Sequence, residues 1–231
     1  MDDDMASDVI ESVGDTTTAL QEVEKSYSEC KETEDLPNAF CKVLQRVDLV
    51  KRTLQYFSSH VSEHEHDKEF WEEAKANMDR CEQRAKNVQV LFRKVVPARN
   101  KSRLERYRET AKTLGGIEEN KVETLMVGLL GDVKSLAGTC VVELEGPMAE
   151  AVENIQIEEL SKELSKAIEE LIDLPPSLSE VASENSINNW SRGTQNINTG
   201  RGTQNNNTSN GQQYIGQSQT FGHNLDQSAK K

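Results

Sequence analysis

The sequence predicts an all-α protein, an antiparallel bundle of about six amphipathic helices followed by a disordered Asn/Gln/Gly-rich C-terminal tail. Three observations predict it. Apolar residues recur at three- and four-residue spacings in long stripes up to Leu174, with no convincing two-residue alternation. Short connections carrying Gly or Pro separate those stripes. Beyond Leu174-Pro175-Pro176 the composition changes abruptly, and past Asn185 most residues are Asn, Gln, Gly, Ser or Thr. Such a segment buries too little apolar surface to offset the entropy of ordering the chain.

The elements follow in order. The first stripe is Val9, Val13, Leu20, Val23 and Tyr27, with Thr16 or Thr17 filling the missing step. Gly14 and three threonines lower its helix propensity, which makes it the weakest member and the one expected to be mobile or detachable. The second is Phe40, Leu44, Val47, Val50, Leu54, Phe57 and Val61, with Pro37 just inside its start, where a missing N–H costs nothing. The third is the cleanest: Trp71, Ala74, Met78, Cys81, Ala85, Val88, Phe92 and Val95, capped by Asp67 and ended by Pro97.

A shorter stripe comprises Leu104, Tyr107, Ala111 and Leu114, with Ser102 as its cap and Gly115-Gly116 as its stop. Then come Val122, Leu125, Met126, Leu129, Val133 and Leu136, closed by Gly138. Pro147 opens the last stripe, with Met148, Val152, Ile155, Leu160, Leu164, Ile168 and Leu171. Cys140-Val141-Val142 is the one hint of a strand and is too short to count. The domain division expected is therefore a bundle over 1–174, a Pro/Ser linker over 175–184 and a low-complexity tail over 185–231.

Composition narrows the function. Of 231 residues, 40 are acidic and 27 basic, giving a net charge of −13. The tail from Pro175 onward carries a net +1, which leaves −14 on the first 174 residues. Such a surface repels phosphate, so nucleic acid is not an expected partner and an anionic membrane face is disfavoured. No apolar run reaches the ~18–20 residues of a spanning helix, and Met1-Asp2-Asp3-Asp4-Met5 resembles no secretory signal. Cys30, Cys41, Cys81 and Cys140 lie far apart with no C-x-x-C pair, so neither a zinc knuckle nor a disulfide framework is suggested. A cytoplasmic protein is expected.

The candidate chemistry is thin. His60 and His64 share a helix face and His66 is near, but the order HVSEHEHD lacks a metalloprotease pattern and reads as a solvated helix end. Gly128 to Ser135 holds some letters of a phosphate loop with the wrong spacing, on a helix stripe. Acidic pairs such as Glu72-Glu73 and Glu158-Glu159 read as solvated faces. The basic runs Arg80 to Lys86 and Arg99 to Arg108 form either a positive patch for an acidic helix or phosphate, or internal partners for the bundle's own carboxylates. No nucleophile–base pair and no metal set can be assembled, so the reading is non-enzymatic, without metal or cofactor.

The tail carries more information. Glycine returns at Gly193, Gly202 and Gly211, and glutamine at Gln195, Gln204 and Gln213, a period of nine. Nine residues suit a short strand plus a Gly/Asn turn. Asn196 and Asn205 follow the glutamines and would extend amide ladders in a cross-β stack, to which Ile197, Tyr214, Ile215 and Phe221 add apolar contacts. The alternative is an inert flexible tail. In-register stacking would set Arg192 on Arg192 and Arg201 on Arg201, and glycine raises the cost of order.

Residues 36–138 also carry a family resemblance. LPNAFCKVLQRVDLVKRTL (Leu36 to Leu54), SRLERYRETAKTLG (Ser102 to Gly115) and KVETLMVGLLGDVKSLAG (Lys121 to Gly138) resemble the SesA-like N-terminal domain of fungal NACHT-type NTPases. The tail, through NTGRGTQNNNT (Asn198 to Thr208), resembles the pseudo-palindromic amyloid signalling motif that is similar to the RHIM. The resemblance implies an adaptor or effector in NLR-type innate immunity, self/non-self recognition and regulated cell death. Its implied partner is a NACHT receptor or, through the tail, a copy of itself. With no NACHT module following the helices, the expectation is a stand-alone partner protein without ATP hydrolysis. Burying Asp2, Asp3 and Asp4 in a bilayer would cost at least ~2.5–3.5 kcal/mol each, which argues against membrane permeation by this N-terminus. The other reading is a helical interaction scaffold whose tail is inert.

Overall fold

A computed structural model describes residues 2–30, 36–63, 66–97, 101–140 and 149–178. Over these the chain forms six helices and no strand: α1 (Asp2–Ser28), α2 (Asn38–Glu63), α3 (Lys68–Val95), α4 (Arg103–Thr113), α5 (Val122–Thr139) and α6 (Ala149–Ile172). Several ends are set by the local chemistry of the sequence. Asp67 accepts a hydrogen bond from the Phe70 amide at 2.8 Å, and Ser102 accepts one from the Glu105 amide at 3.2 Å. Gly115 and Gly116 follow α4 at φ 121° and 146°, a region closed to most side chains, so the chain reverses there.

Other ends differ from expectation by a residue or two. Pro37 precedes α2 instead of lying inside it, and its carbonyl accepts from the Phe40 amide at 3.0 Å. α5 runs through Gly138 to Thr139 and ends at Cys140. Pro147 and the 141–142 strand hint lie outside the described residues.

α3 and α5 form the centre. α3 packs against α1, α4 and α5, while α5 packs against α2, α3 and α6. Polar contacts across the seams give the directions. Arg80 and Arg84 of α3 reach Asp132 of α5, and Arg84 also reaches the Gly128 carbonyl at 2.8 Å, so these helices are antiparallel. Arg46 pairs with Glu170 and Arg52 with Glu163, which sets α2 antiparallel to α6. Not every packed pair is antiparallel: Lys75 reaches Asp8 at 3.4 Å and Lys86 reaches Asp15 at 3.8 Å, so α1 and α3 run parallel. Up–down–up travel through α1, α2 and α3 makes that inevitable once α2 turns its face to α5.

α1 is thus a full member of the bundle. Val9, Leu20 and Val23 are completely buried, despite Gly14 and the threonines. Burial outweighs propensity here, since each such side chain contributes about 1.5–3 kcal/mol while a threonine costs tenths and a glycine about 1 kcal/mol.

The core residues named from sequence are placed as follows. Phe40, Val47, Leu54, Phe57, Trp71, Met78, Cys81, Val88, Phe92, Tyr107, Leu125, Leu129 and Val133 are buried, and Leu44 and Leu104 are half-buried against that core. In α6 the expected Leu160, Leu164 and Leu171 are buried and Ile168 packs against the core, and the departure is at Ile155. Ile155 is 56% exposed, and the buried line is Ile157, Leu160, Leu164, Ala167 and Leu171. Packing also continues past Leu174: Ser177 and Leu178 are 4% and 1% exposed.

Candidate functional site

A buried polar network lies where the chain leaves the bundle. α6 closes with the amides of Asp173 and Leu174 bonded to the carbonyls of Glu169 and Leu171 at 3.1 and 3.3 Å. Pro175 and Pro176 then supply no N–H, and each disfavours helix in the residue before it. The chain bends back so that Ser177 and Leu178 enter the bundle beside the start of α5.

There the Ser177 amide donates to Glu123 Oε1 at 2.8 Å, and Ser177 Oγ donates to Glu123 Oε2 at 2.5 Å. Tyr107 Oη lies 2.7 Å from Ser177 Oγ and accepts from the Val122 amide at 2.7 Å. The serine hydrogen is committed to the carboxylate, so the phenol is the donor to Ser177. Every member of this buried chain is satisfied, the condition under which such a network rigidifies its surroundings. Burial, and then the charge of Glu123, push the Tyr107 phenol above its ordinary value and keep it protonated as the network needs.

Local sequence explains the position. Lys121 occupies the N-cap of α5 and makes no capping hydrogen bond with its side chain. The free Val122 amide is instead met by Tyr107 from α4, and Glu123 sits in the first turn, where a carboxylate is favoured by the helix dipole. Tyr107 also lies edge-on to Phe40, ring centroids 5.1 Å apart, and Phe40 is 5.1 Å from Phe92. One side chain therefore joins α2, α4, α5 and the segment after α6. Sequence reading placed Tyr107 in the core and missed its hydroxyl. The available signal was Lys121, a poor cap at the head of a clear helix.

The basic runs spend much of their charge on partners within the chain, one base buried and the others at the surface. Arg106, 8% exposed, donates to the carbonyls of Lys94, Val95 and Pro97 at 3.0, 2.8 and 2.6 Å, and also to that of Lys101. It thereby closes the C-terminal end of α3, where carbonyls lack helical partners. Arg80 and Arg84 serve Asp132, Lys86 serves Glu82 and Lys101 serves Glu109. A Cβ on Gly128 would meet Arg84 Nε at 2.6 Å, so glycine is what lets that side chain cross α5. Between α3 and α4 a groove of about 730 Å³ is lined by Val90, Lys94, Thr110, Thr113 and Leu114, among others.

The histidines depart from the solvated-end reading. His60 is buried, and its ring lies 6.3 Å from Tyr56 and 5.4 Å from His66. His66 stacks on Phe70 at 3.8 Å, so the turn between α2 and α3 is an aromatic cluster. His64 lies outside the described residues. Among the described residues no three His, Cys, Asp or Glu are grouped to hold a metal ion. No described helix is long and apolar enough to cross a membrane. The repeat residues Gly193, Gln195, Asn196, Ile197, Gly202, Gln204, Asn205, Gly211, Gln213, Tyr214 and Ile215 lie outside the described residues.

The helical region has a match among known families. SesA, described as the N-terminal domain on NACHT NTPases and P-loop NTPases, matches residues 13–136. The chain belongs to the SesA family. The SesA match runs from within α1 to near the end of α5, more than half of the sequence, and includes both Tyr107 and Glu123. α6, Ser177 and the nonapeptide repeats lie beyond it. No curated protein and no solved structure matches the chain.

Proposed function

We propose that this SesA protein is a non-enzymatic adaptor or effector of NLR-type signalling, acting in the cytoplasm in fungal self/non-self recognition and regulated cell death. The observation that carries the reading is the SesA match itself, a domain that stands N-terminal on NACHT NTPases. Its partner is a protein, in this reading a NACHT receptor. The helical bundle supplies the output or docking surface. The repeats around Gly193, Gly202 and Gly211 supply a receiver that adds to a β-stack presented by the same motif on that receptor.

Two features support the division. The bundle engages many of its charges and polar groups internally, through Arg80, Arg84, Arg106 and Glu123, so its faces are built for packing and not for proton transfer. The repeats carry few charges, which removes the main electrostatic barrier to stacking apart from Arg192 and Arg201.

The test is seeded assembly of the full chain, followed by thioflavin fluorescence and electron microscopy, with seeds made from a 185–225 peptide. Lag-free fibre growth is expected, and replacing Gln195, Gln204 and Gln213 by Pro abolishes it. A full chain that stays monomeric with seeds refutes the receiver and leaves the helical scaffold with an inert tail.

A further inference from the structure

The segment Asp173–Leu178 is held to the bundle by very little backbone. After the Leu174 amide, Pro175 and Pro176 donate nothing, and the Ser177 amide bonds to a side chain, Glu123, not to helix or sheet. Its anchors are thus the three-way contact of Ser177 with Glu123 and Tyr107, the burial of Leu178 and the packing of half-buried Leu174 on the core. A segment with so few contacts opens at a fraction of the cost of unfolding the bundle. Both oxygens of Glu123 are turned to Ser177, one taken by its amide and one by its hydroxyl, so the polar part of the attachment requires donors at residue 177.

We propose that Asp173–Leu178 is a latch and that Ser177 is a phosphorylation site whose modification opens it. In the closed form the Ser177 hydroxyl gives its hydrogen to a carboxylate 2.5 Å away. Transfer of the terminal phosphoryl group of a nucleoside triphosphate forms an Oγ–P bond, breaks the bond to the departing nucleoside diphosphate, and sends the hydroxyl proton to the base of the kinase. The donor is then gone and about two negative charges face Glu123 in a buried site, which is the placement where a phosphate disrupts. Closed Ser177 is inaccessible, so the phosphoryl group is received during a local opening and holds the segment in that state. Glu180, three positions on, supplies the acidic side chain that acid-directed serine kinases read.

Opening frees Leu174–Leu178, about 17 Å of extended chain, between α6 and everything that follows. It also bares the niche of Leu178. Tyr107 keeps its bond to the Val122 amide, so α4 and α5 stay as they are. The latch rests on contacts of the bundle alone, and its success or failure is independent of whether the repeats stack.

Hydrogen exchange on the full chain tests it, comparing Ser177 with encoded phosphoserine at 177 and with Ser177→Ala. Exchange over residues 173–178 is expected to rise about tenfold or more with phosphoserine and less with alanine, which keeps the amide bond to Glu123. Protection in α1 to α5 is expected to be unchanged. In a Glu123→Gln background the phosphoserine effect shrinks, because the opposing charge is absent. Equal exchange with and without phosphate overturns the proposal. So does an equal rise with alanine, which would make the charge irrelevant, or a rise spread over α4 and α5, which would deny a separable latch.

Discussion

Burial sets the chemistry of single residues in this protein more than charge does. Cys81 and Cys140 have thiols pushed up by desolvation, Cys140 to about 12. A group whose folded pKa is raised adds stability while it stays neutral. That contribution is complete below the unfolded thiol value of 9.0 and is lost as pH climbs toward about 12 for Cys140. Tyr107 acts in the same direction at higher pH. The expected outcome is a denaturation midpoint that holds level to about pH 9 and then falls, with a shallower fall in Cys140→Ala. At pH 8 iodoacetamide should label the half-buried Cys30 and Cys41 in the folded chain, and reach Cys81 and Cys140 only after denaturation.

At the scale of elements, what matters is how the helices end and which neighbours they choose. Arg106 meets the last carbonyls of α3 with a planar fork that neither lysine nor an apolar side chain reproduces. Arg106→Met should lower stability by about 2 kcal/mol and speed amide exchange in the last turn of α3, read by denaturant titration and by mass spectrometry. Arg106→Lys should recover only part.

The elements themselves were legible because their signals are local: stripes such as Trp71 to Val95, the caps Asp67 and Ser102, the stop at Gly115-Gly116. What was not legible is long-range. Ile157 is the counter-example, a local signal overlooked: Ile157, Leu160, Leu164, Ala167 and Leu171 step by three and four, while Ile155 lies five before Leu160. The parallel pairing of α1 with α3, and the meeting of Tyr107 with Ser177 seventy positions away, follow from topology that spacing does not encode. The burial of His60 among aromatic rings was missed for the same reason.

On the scale of the whole molecule, an acidic chain arranges its bases as internal ties. Asp132 takes Arg80 and Arg84, while Glu163 and Glu170 take Arg52 and Arg46 across the α2–α6 seam. These ties and the apolar core make the SesA bundle a unit, and in the proposed function it keeps its shape while the repeats beyond Asn185 stack. That independence is the central claim, and hydrogen exchange on the full chain before and after seeding tests it most directly. New protection confined to residues 191–217, with α1 to α6 exchanging as in the unseeded protein, is the result predicted. Helices that lose their protection as fibres grow, or repeats that gain none, would contradict it.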